Sequence, residues 1–178
     1  KDIEQRRPDG SWHKVAELPF NLYEHQAVSL KEHILIIGGR TKRPSEAYAP
    51  VDTQKRTWLL QLNGFNLASA GEMLKPRSWM PGLLLQDERV MVLGGTSDNG
   101  GLKTTEYWSL KDKKWTRGPS MKAVRYQHSA SRLPDGRIFV LGGDREQSKT
   151  SETIDPSLES RNGEKSEANH NRWVLHEG

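Results

Sequence analysis

The chain lacks cysteine and long hydrophobic runs. Zero cysteines in 178 residues exclude disulfides, thiolate metal sites and cysteine nucleophiles together, but they leave the compartment open. No apolar run approaches the roughly 18 residues that a membrane-spanning helix needs, so we expect no membrane insertion. Localisation is not fixed by the sequence: it is cytoplasmic, or periplasmic or extracellular if an export signal lies upstream.

Apolar residues are scarce as well, and the charge is mixed. They make up 33% of the chain, with a mean hydropathy of −0.83, which favours several small cores over one large core. The 27 basic and 23 acidic residues give a net charge of +4. The basic cluster Lys111, Lys113 and Lys114 indicates a solvated hairpin tip rather than a nucleic-acid patch, and we expect no nucleic-acid partner.

An internal repeat is the dominant feature of the sequence. Three glycine doublets each end a run of four apolar residues, and each is followed by a glutamate and then by a tryptophan. The doublets are Gly38-Gly39, Gly94-Gly95 and Gly142-Gly143, the glutamates are Glu46, Glu106 and Glu152, and the tryptophans are Trp58, Trp115 and Trp173, with Trp12 closing an earlier unit. A recurrence of this kind indicates a repeat architecture.

The apolar runs before the doublets predict buried β-strands. Ile34 to Ile37, Val90 to Leu93 and Ile138 to Leu141 are too short for helices and end at glycine. Turn-forming residues precede each run, and a second segment with an apolar third position follows each doublet. One repeat is thus predicted to be about four short strands.

Upstream of the doublets, two further landmarks recur. Met73 to Arg77 repeats as Met121 to Arg125, and each arginine stands 17 residues before its doublet. His25 and His128 each precede the leucine that opens the next hairpin turn. These landmarks give the repeats a common register.

The third repeat unit resembles a known family. The stretch MKAVRYQHSASRLPDGRIFVLGG, with Glu152 and the turn Ile154-Asp155-Pro156, resembles a bacterial-style kelch repeat of the galactose-oxidase-like propellers. The other two units resemble divergent copies. The resemblance implies an all-β fold, a kelch-type β-propeller with about three four-stranded antiparallel blades plus one extra outer strand.

The repeat register predicts the boundaries of the units. Residues 1–16 are the outer strand of a preceding blade, 17–72 a blade with an inserted loop at 59–72, 73–120 a blade, and 121–178 a blade with a polar insertion at 157–171. Because propellers close with about four to eight blades, we expect a segment of a larger propeller chain, with oligomeric closure as the alternative. The stretch 59–72 is either an edge strand with a turn at Asn63-Gly64 or a partner-binding loop.

The arginines of the repeat allow two interpretations. As structure, a guanidinium pairs with Glu106 or Glu152 or with backbone carbonyls and ties blade to blade. As function, arginines that converge on a channel mouth bind carboxylates of a glycan or an acidic peptide. The predicted binding residues are Arg77, Arg125, His128, Trp79, Tyr126 and Phe65.

The sequence offers no catalytic constellation and no cofactor motif. It favours a non-catalytic binding module that presents loops to a protein or peptide partner, and it leaves an enzymatic role open. The alternative, by resemblance, is a carbohydrate-active propeller, sialic-acid mutarotase-like or glycan-binding, with an arginine-lined channel. A metal site at Glu164, Glu167 and His170 is not predicted, because carboxylates in a polar loop usually serve solubility.

Overall fold

A computed structural model describes residues 1–41, 52–144, 149–156 and 173–177. Its strands form three four-stranded antiparallel sheets and three two-stranded antiparallel sheets, and the described residues contain no α-helix. The strands in chain order are β1 (Asp2–Arg6), β2 (Trp12–Glu17), β3 (Gln26–Ser29), β4 (His33–Ile37), β5 (Arg40–Thr41), β6 (Asp52–Thr53), β7 (Arg56–Gln61), β8 (Leu67–Glu72), β9 (Gly82–Leu84), β10 (Arg89–Leu93), β11 (Thr96–Ser97), β12 (Gly100–Gly101), β13 (Thr105–Ser109), β14 (Lys114–Arg117), β15 (Ser129–Arg132), β16 (Ile138–Leu141), β17 (Thr150–Ile154) and β18 (Val174–Glu177).

The three larger sheets confirm the predicted all-β architecture. We call them blade 1 (β3-β4-β7-β8), blade 2 (β9-β10-β13-β14) and blade 3 (β15-β16-β17-β18), each in the antiparallel order of a meander. The preceding unit supplies two strands, β1 and β2, where the sequence predicts one outer strand. Strand β1 is almost entirely exposed and polar, so it carries no hydrophobic signal.

Apolar cores lie between successive sheets. Blades 1 and 2 share a core that includes Leu35, Ile37, Val90 and Val92. The alternate residues Met91 and Leu93 of the same strand β10 face the core between blades 2 and 3 instead. Because side chains alternate along a strand, a blade covered on both faces needs an unbroken apolar run, which is why these runs identify the strands.

The register of the first repeat differs from the prediction. Ile36 pairs with Trp58 across the sheet, whereas Val92 pairs with Glu106 and the corresponding valine of blade 3 pairs with Glu152. Trp58 therefore lies on the third strand of its blade, at the position of the glutamates. Its predicted equivalence to Trp115, which lies on the fourth strand, is wrong. Glu46 lies outside the described residues.

The stretch 59–72 is not an inserted loop. Its first residues complete β7, a turn follows, and β8 forms the regular fourth strand of blade 1. The alternative interpretation, an edge strand with a turn at Asn63-Gly64, agrees with the structure. The predicted loop follows from the assignment of Trp58 to the outer strand, because that assignment leaves residues 67–72 without a place in the blade. The predicted polar insertion at 157–171 lies outside the described residues.

Tryptophans of the repeat have different environments. Trp115 and Trp173 are buried. The Trp115 indole donates a hydrogen bond to Thr57 Oγ1 of blade 1, and the Trp173 indole donates to the Pro119 carbonyl in the segment between blades 2 and 3. Trp12, in contrast, is 63% exposed on the first hairpin. Its environment therefore differs from that of the other two tryptophans.

Candidate functional site

One end of the blades carries the repeat landmarks. In each antiparallel blade the second strand ends where the first begins, so the glycine doublets and the segments that enter the blades share one end. We call this end the loop face. It includes residues 73–81 and 118–128, in which the predicted arginines lie.

Two arginines of the loop face form buried ion pairs. Arg77 donates to a carboxylate oxygen of Glu106 and, at 2.7 Å, to the Gly94 carbonyl. Arg125 donates to Glu152 Oε1 at 2.9 Å and to the carbonyl of Gly142, the first glycine of its doublet, at 2.6 Å. Both arginine side chains are fully buried. Each pair joins the loop that enters a blade to the third strand of that blade.

The glutamates also order the loop backbone. Glu106 accepts hydrogen bonds from the backbone N–H groups of Leu74 and Lys75, and Glu152 accepts from those of Lys122 and Ala123. Each carboxylate therefore neutralises one guanidinium and satisfies two donors, as a buried charge requires. In blades 2 and 3 the repeated glutamate therefore holds the backbone of the loop that enters the blade.

The arginine backbone makes the connection between blades. The carbonyl of Arg77 accepts from Gly39 N–H at 2.9 Å, and that of Arg125 accepts from Gly95 N–H at 2.8 Å. These contacts run from each loop to the doublet of the preceding blade. The placement favours the structural interpretation of both arginines, because neither guanidinium reaches a surface where it could contact a ligand or line a channel.

Blade 1 replaces this ion pair by an apolar contact. A Cβ on Gly39 would lie 2.7 Å from the Tyr23 carbonyl, as one on Gly95 would lie 2.5 Å from that of Ser78. Tyr23 and Ser78 therefore have equivalent positions, and so do Leu22 and Arg77, which precede them. Trp58 has the position of Glu106, as the strand pairing shows. Leu22 and Trp58 belong to one apolar cluster between the first hairpin and blade 1. The charge and its partner are lost together, so neither is left unpaired.

Three equivalent residues on the loop face have a left-handed backbone. Glu24, Trp79 and Gln127 have φ values of 56°, 52° and 55°. The N–H of Trp79 donates to the carbonyl of Glu24 at 3.2 Å, and that of Gln127 donates to the carbonyl of Trp79 at 3.0 Å. Such conformations are uncommon outside glycine and persist where surrounding contacts hold them. They form a backbone link across all three blades.

Above this link, side chains from the three blades stack in one row. The guanidinium of Arg40 lies 4.9 Å from the centre of the Trp79 ring, and Trp79 stacks on Tyr126 with centroids 6.2 Å apart and an interplanar angle of 18°. Arg40 also pairs with Glu24 at 3.4 Å, and the Tyr126 hydroxyl donates to Asp144. These five residues are half-buried. We call them the aromatic row.

The aromatic row includes two predicted residues and three that sequence reasoning missed. Trp79 and Tyr126 come together as neighbours, whereas Phe65 lies in the β7–β8 turn at the opposite end of blade 1. Arg40 and Asp144 each follow a glycine doublet directly. That shared position is the signal that could have identified them.

His128 is buried beside the row rather than exposed in it. The side chain is 9% exposed, and neither ring nitrogen has a hydrogen-bond partner among the described residues. Burial, with the nearby charge of Arg125 as a smaller cause, lowers the pKa of His128 to about 4. The equivalent residues are Met80 in blade 2 and His25 in blade 1. His128 therefore has the environment of a packing residue.

His128→Met is expected to remove an acid-sensitive part of the stability. Between the ordinary pKa of 6.5 and about 4, the unfolded chain binds a proton that native His128 does not, so the free energy of unfolding falls as the pH falls. The loss amounts to about 3 kcal/mol. Urea unfolding at pH 7, 5.5 and 4 measures it. His25→Met, at the equivalent position, is the comparison: burial lowers the pKa of His25 as well, but its side chain is more exposed than that of His128, so its substitution should change the pH profile less. An unchanged pH profile in His128→Met would contradict the assignment.

Neither a metal centre nor a membrane span emerges from the described ranges. No group of three potential metal ligands comes together in residues 1–41, 52–144, 149–156 and 173–177. In the same ranges no helix has the length and apolar character to cross a membrane.

Comparisons with known proteins point to one repeat family. The family model of the kelch motif matches residues 81–122. Kelch-like protein 40 of Mus musculus is 27% identical over 136 residues, covering 74% of this chain and 20% of that protein, and Kelch-like protein 38 of Mus musculus is 26% identical, covering 76% and 22%. The tRNA wybutosine-synthesizing protein 4 of Saccharomyces cerevisiae is 31% identical over 59 residues, covering 33% and 8%. The chain spans about a fifth of the length of the first two relatives.

Proposed function

Because the chain is a kelch-repeat protein built of β-propeller blades, we propose that it is a non-catalytic binding module whose loop face contacts a protein or peptide partner. The observation that carries this proposal is the aromatic row, in which side chains from three blades meet on one surface. Aromatic and arginine side chains supply most of the binding energy at protein interfaces. A row held by backbone links between blades also loses little conformational freedom on binding.

The charges of the aromatic row suit a polar peptide rather than an apolar one. Glu24 and Asp144 stand at its two ends, and Arg40 lies between Glu24 and the rings. A peptide that crosses the blades meets a carboxylate, a guanidinium, ring edges and a carboxylate in turn, because the ring faces stack on Arg40 and on each other. Half-buried ring edges with polar ends are typical of surfaces that combine apolar contact with hydrogen bonds.

Trp79→Asn tests the proposal. Asparagine tolerates the left-handed backbone of position 79 while it removes the indole, so we expect the blade to fold and the binding surface to lose its central ring. Quantitative affinity capture with the full protein should show at least a tenfold loss of the specific partners. Loss of a central aromatic contact at an interface costs about 2 kcal/mol or more.

Trp12→Ala is the matched control for this experiment. Trp12 is the exposed tryptophan of the first hairpin and lies outside the aromatic row. Its removal should leave the captured partners unchanged, and melting temperatures of both variants should show that they fold. The proposal fails if Trp79→Asn folds and retains the same partners as the unmodified chain.

A further inference from the structure

We propose that a cleft between blades 1 and 2, at the end opposite to the loop face, binds a short peptide through one aliphatic side chain with a basic residue beside it. This inference goes beyond the proposed function, because none of the cleft residues belongs to the aromatic row. The cleft has a volume of ≈ 270 Å³. Its lining residues are Leu30, Lys31, Glu32, His33, Leu84, Glu88 and Leu110.

Leucines from two blades supply the apolar walls of the cleft. Leu30 directly follows the first strand of blade 1. Leu84 lies on the first strand of blade 2, and Leu110 directly follows the third strand of that blade. Leu84 and Leu110 pack only partly buried against the core below. Binding of an aliphatic group that covers this exposed apolar surface is favourable, because it removes the surface from water.

The equivalent place between blades 2 and 3 is built differently. Val90 and Ile138 have equivalent positions, four residues before the glycine doublets of their blades. Leu84 pairs with Val90 and Arg132 pairs with Ile138, so Arg132 of blade 3 has the position of Leu84. In the adjoining turn, Gly136 lies within reach of the Gln86 side chain, which crosses this junction. The apolar walls of the cleft are therefore not a requirement of the repeat, because another junction of the same chain does without them.

The size of the cleft favours a side chain over a small molecule. Pockets for drug-sized ligands and cofactors measure about 300–1,000 Å³, and this cleft falls below that range. A single aliphatic side chain of a peptide needs less space than a whole ligand. The cleft also opens between two blades, so the peptide backbone can continue on either side.

The rim charges favour a basic neighbour for that side chain. Glu32 and Glu88 bring two carboxylates, and Lys31 brings one ammonium group, which pairs with Glu88 at 3.2 Å. Both partners of that pair are largely exposed, so it is screened and exchangeable. The local charge is thus negative in a chain whose net charge is +4. Attraction to the whole chain would favour acidic peptides, and preference for a basic one is specific to the cleft.

Three synthetic peptides test the proposal on the full protein. The probe is a fluorescein-labelled octapeptide of glycine and serine with one leucine followed by two lysines. In one comparator serine replaces the leucine, and in the other two glutamates replace the lysines. We expect saturable polarisation changes with the probe, at least tenfold weaker binding of both comparators, and shifts of the methyl NMR signals of Leu30, Leu84 and Leu110.

Variants locate the binding in the cleft. Leu84→Arg copies the residue that blade 3 carries and should weaken probe binding at least tenfold, whereas Leu141→Arg, on an exposed leucine of blade 3, should leave it unchanged. Glu32 and Glu88 are both exposed, so the double variant Glu32→Gln with Glu88→Gln should remain folded. It should bind the lysine probe with a smaller preference over the glutamate comparator. Melting temperatures establish that each variant is folded.

Three results would overturn the proposal. The first is equal binding of the serine comparator, which would mean charge attraction alone. The second is equal or tighter binding of the glutamate comparator, and the third is probe binding that leaves the three leucine methyl signals unmoved. Each result is independent of the aromatic row, so it leaves the proposed function of the loop face to its own test.

Discussion

Glu106→Ala is expected to lower the free energy of unfolding by about 3–5 kcal/mol, the cost of breaking a buried ion pair by removing one partner. The substitution leaves the fully buried Arg77 without its counter-charge. It also removes the acceptor of two backbone donors, Leu74 N–H and Lys75 N–H. Because domains are stable by only about 5–15 kcal/mol, this loss is a large fraction of the total.

Asp135→Ala is the control for the ion-pair prediction. Asp135 pairs with Arg137, and both side chains are about half exposed, so the pair is screened by solvent and the removal of Asp135 should change stability far less than Glu106→Ala does. Urea unfolding at pH 7 measures both variants. If the two substitutions cost the same, the Arg77–Glu106 pair does not have the structural role assigned to it.

The first blade predicts how the pair can be removed with less damage. Leu22 and Trp58 occupy the positions of Arg77 and Glu106, so the repeat tolerates two apolar side chains there. The double variant Arg77→Leu with Glu106→Leu should therefore be more stable than Glu106→Ala alone, because no unpaired charge remains. A double variant less stable than Glu106→Ala would contradict this account.

Gly94→Ala is expected to lower the free energy of unfolding by about 2–5 kcal/mol. The added Cβ would lie 2.4 Å from the backbone carbonyl of Arg125 and 2.8 Å from the side chain of Met121. The left-handed backbone, with φ of 55°, contributes about 1–2 kcal/mol, and the overpacking adds roughly 1–3 kcal/mol. Backbone atoms cannot move aside without separating blades 2 and 3.

Gly142→Ala separates the two causes. Gly142 is the equivalent first glycine of its doublet and has φ of 72°, but a Cβ there would meet no described atom within 4 Å. Its cost should be limited to about 1–2 kcal/mol of backbone strain. Urea unfolding of both variants gives the difference. Equal losses would mean that the close approach to Arg125 is not what requires glycine at position 94.

Predictions about strands succeeded where local residues carry the information. Ile34 to Ile37 and the two equivalent runs are strands because each is covered on both faces, and the sequence shows that directly as unbroken apolar residues. The glycine doublets mark the ends of these strands for a reason that is only partly local. The left-handed backbone and the approach of a neighbouring loop leave no room for a Cβ at Gly38, Gly39, Gly94 and Gly95.

The first repeat shows why its register could not be predicted. A tryptophan after a glutamate recurs in the sequence, yet Trp58 occupies the glutamate position of the blade and pairs with Ile36. Only the pairing of strands distinguishes the two possibilities. Residues 67–72 carry little hydrophobic signal in the sequence because Leu67 is their one large apolar side chain, whereas the sheet needs them as its fourth strand.

The sequence by itself determined the class of fold, the number of four-stranded blades and the positions of the inner strands, because burial on both faces imposes an apolar run and a glycine ending wherever it occurs. The tertiary structure decided what the polar residues do. Arg77 and Arg125 became buried loop anchors, while Arg40 and Asp144 joined Trp79 and Tyr126 on the surface. Those roles depend on how one blade meets the next, and a repeated position in the sequence does not distinguish a buried contact between segments from an exposed one.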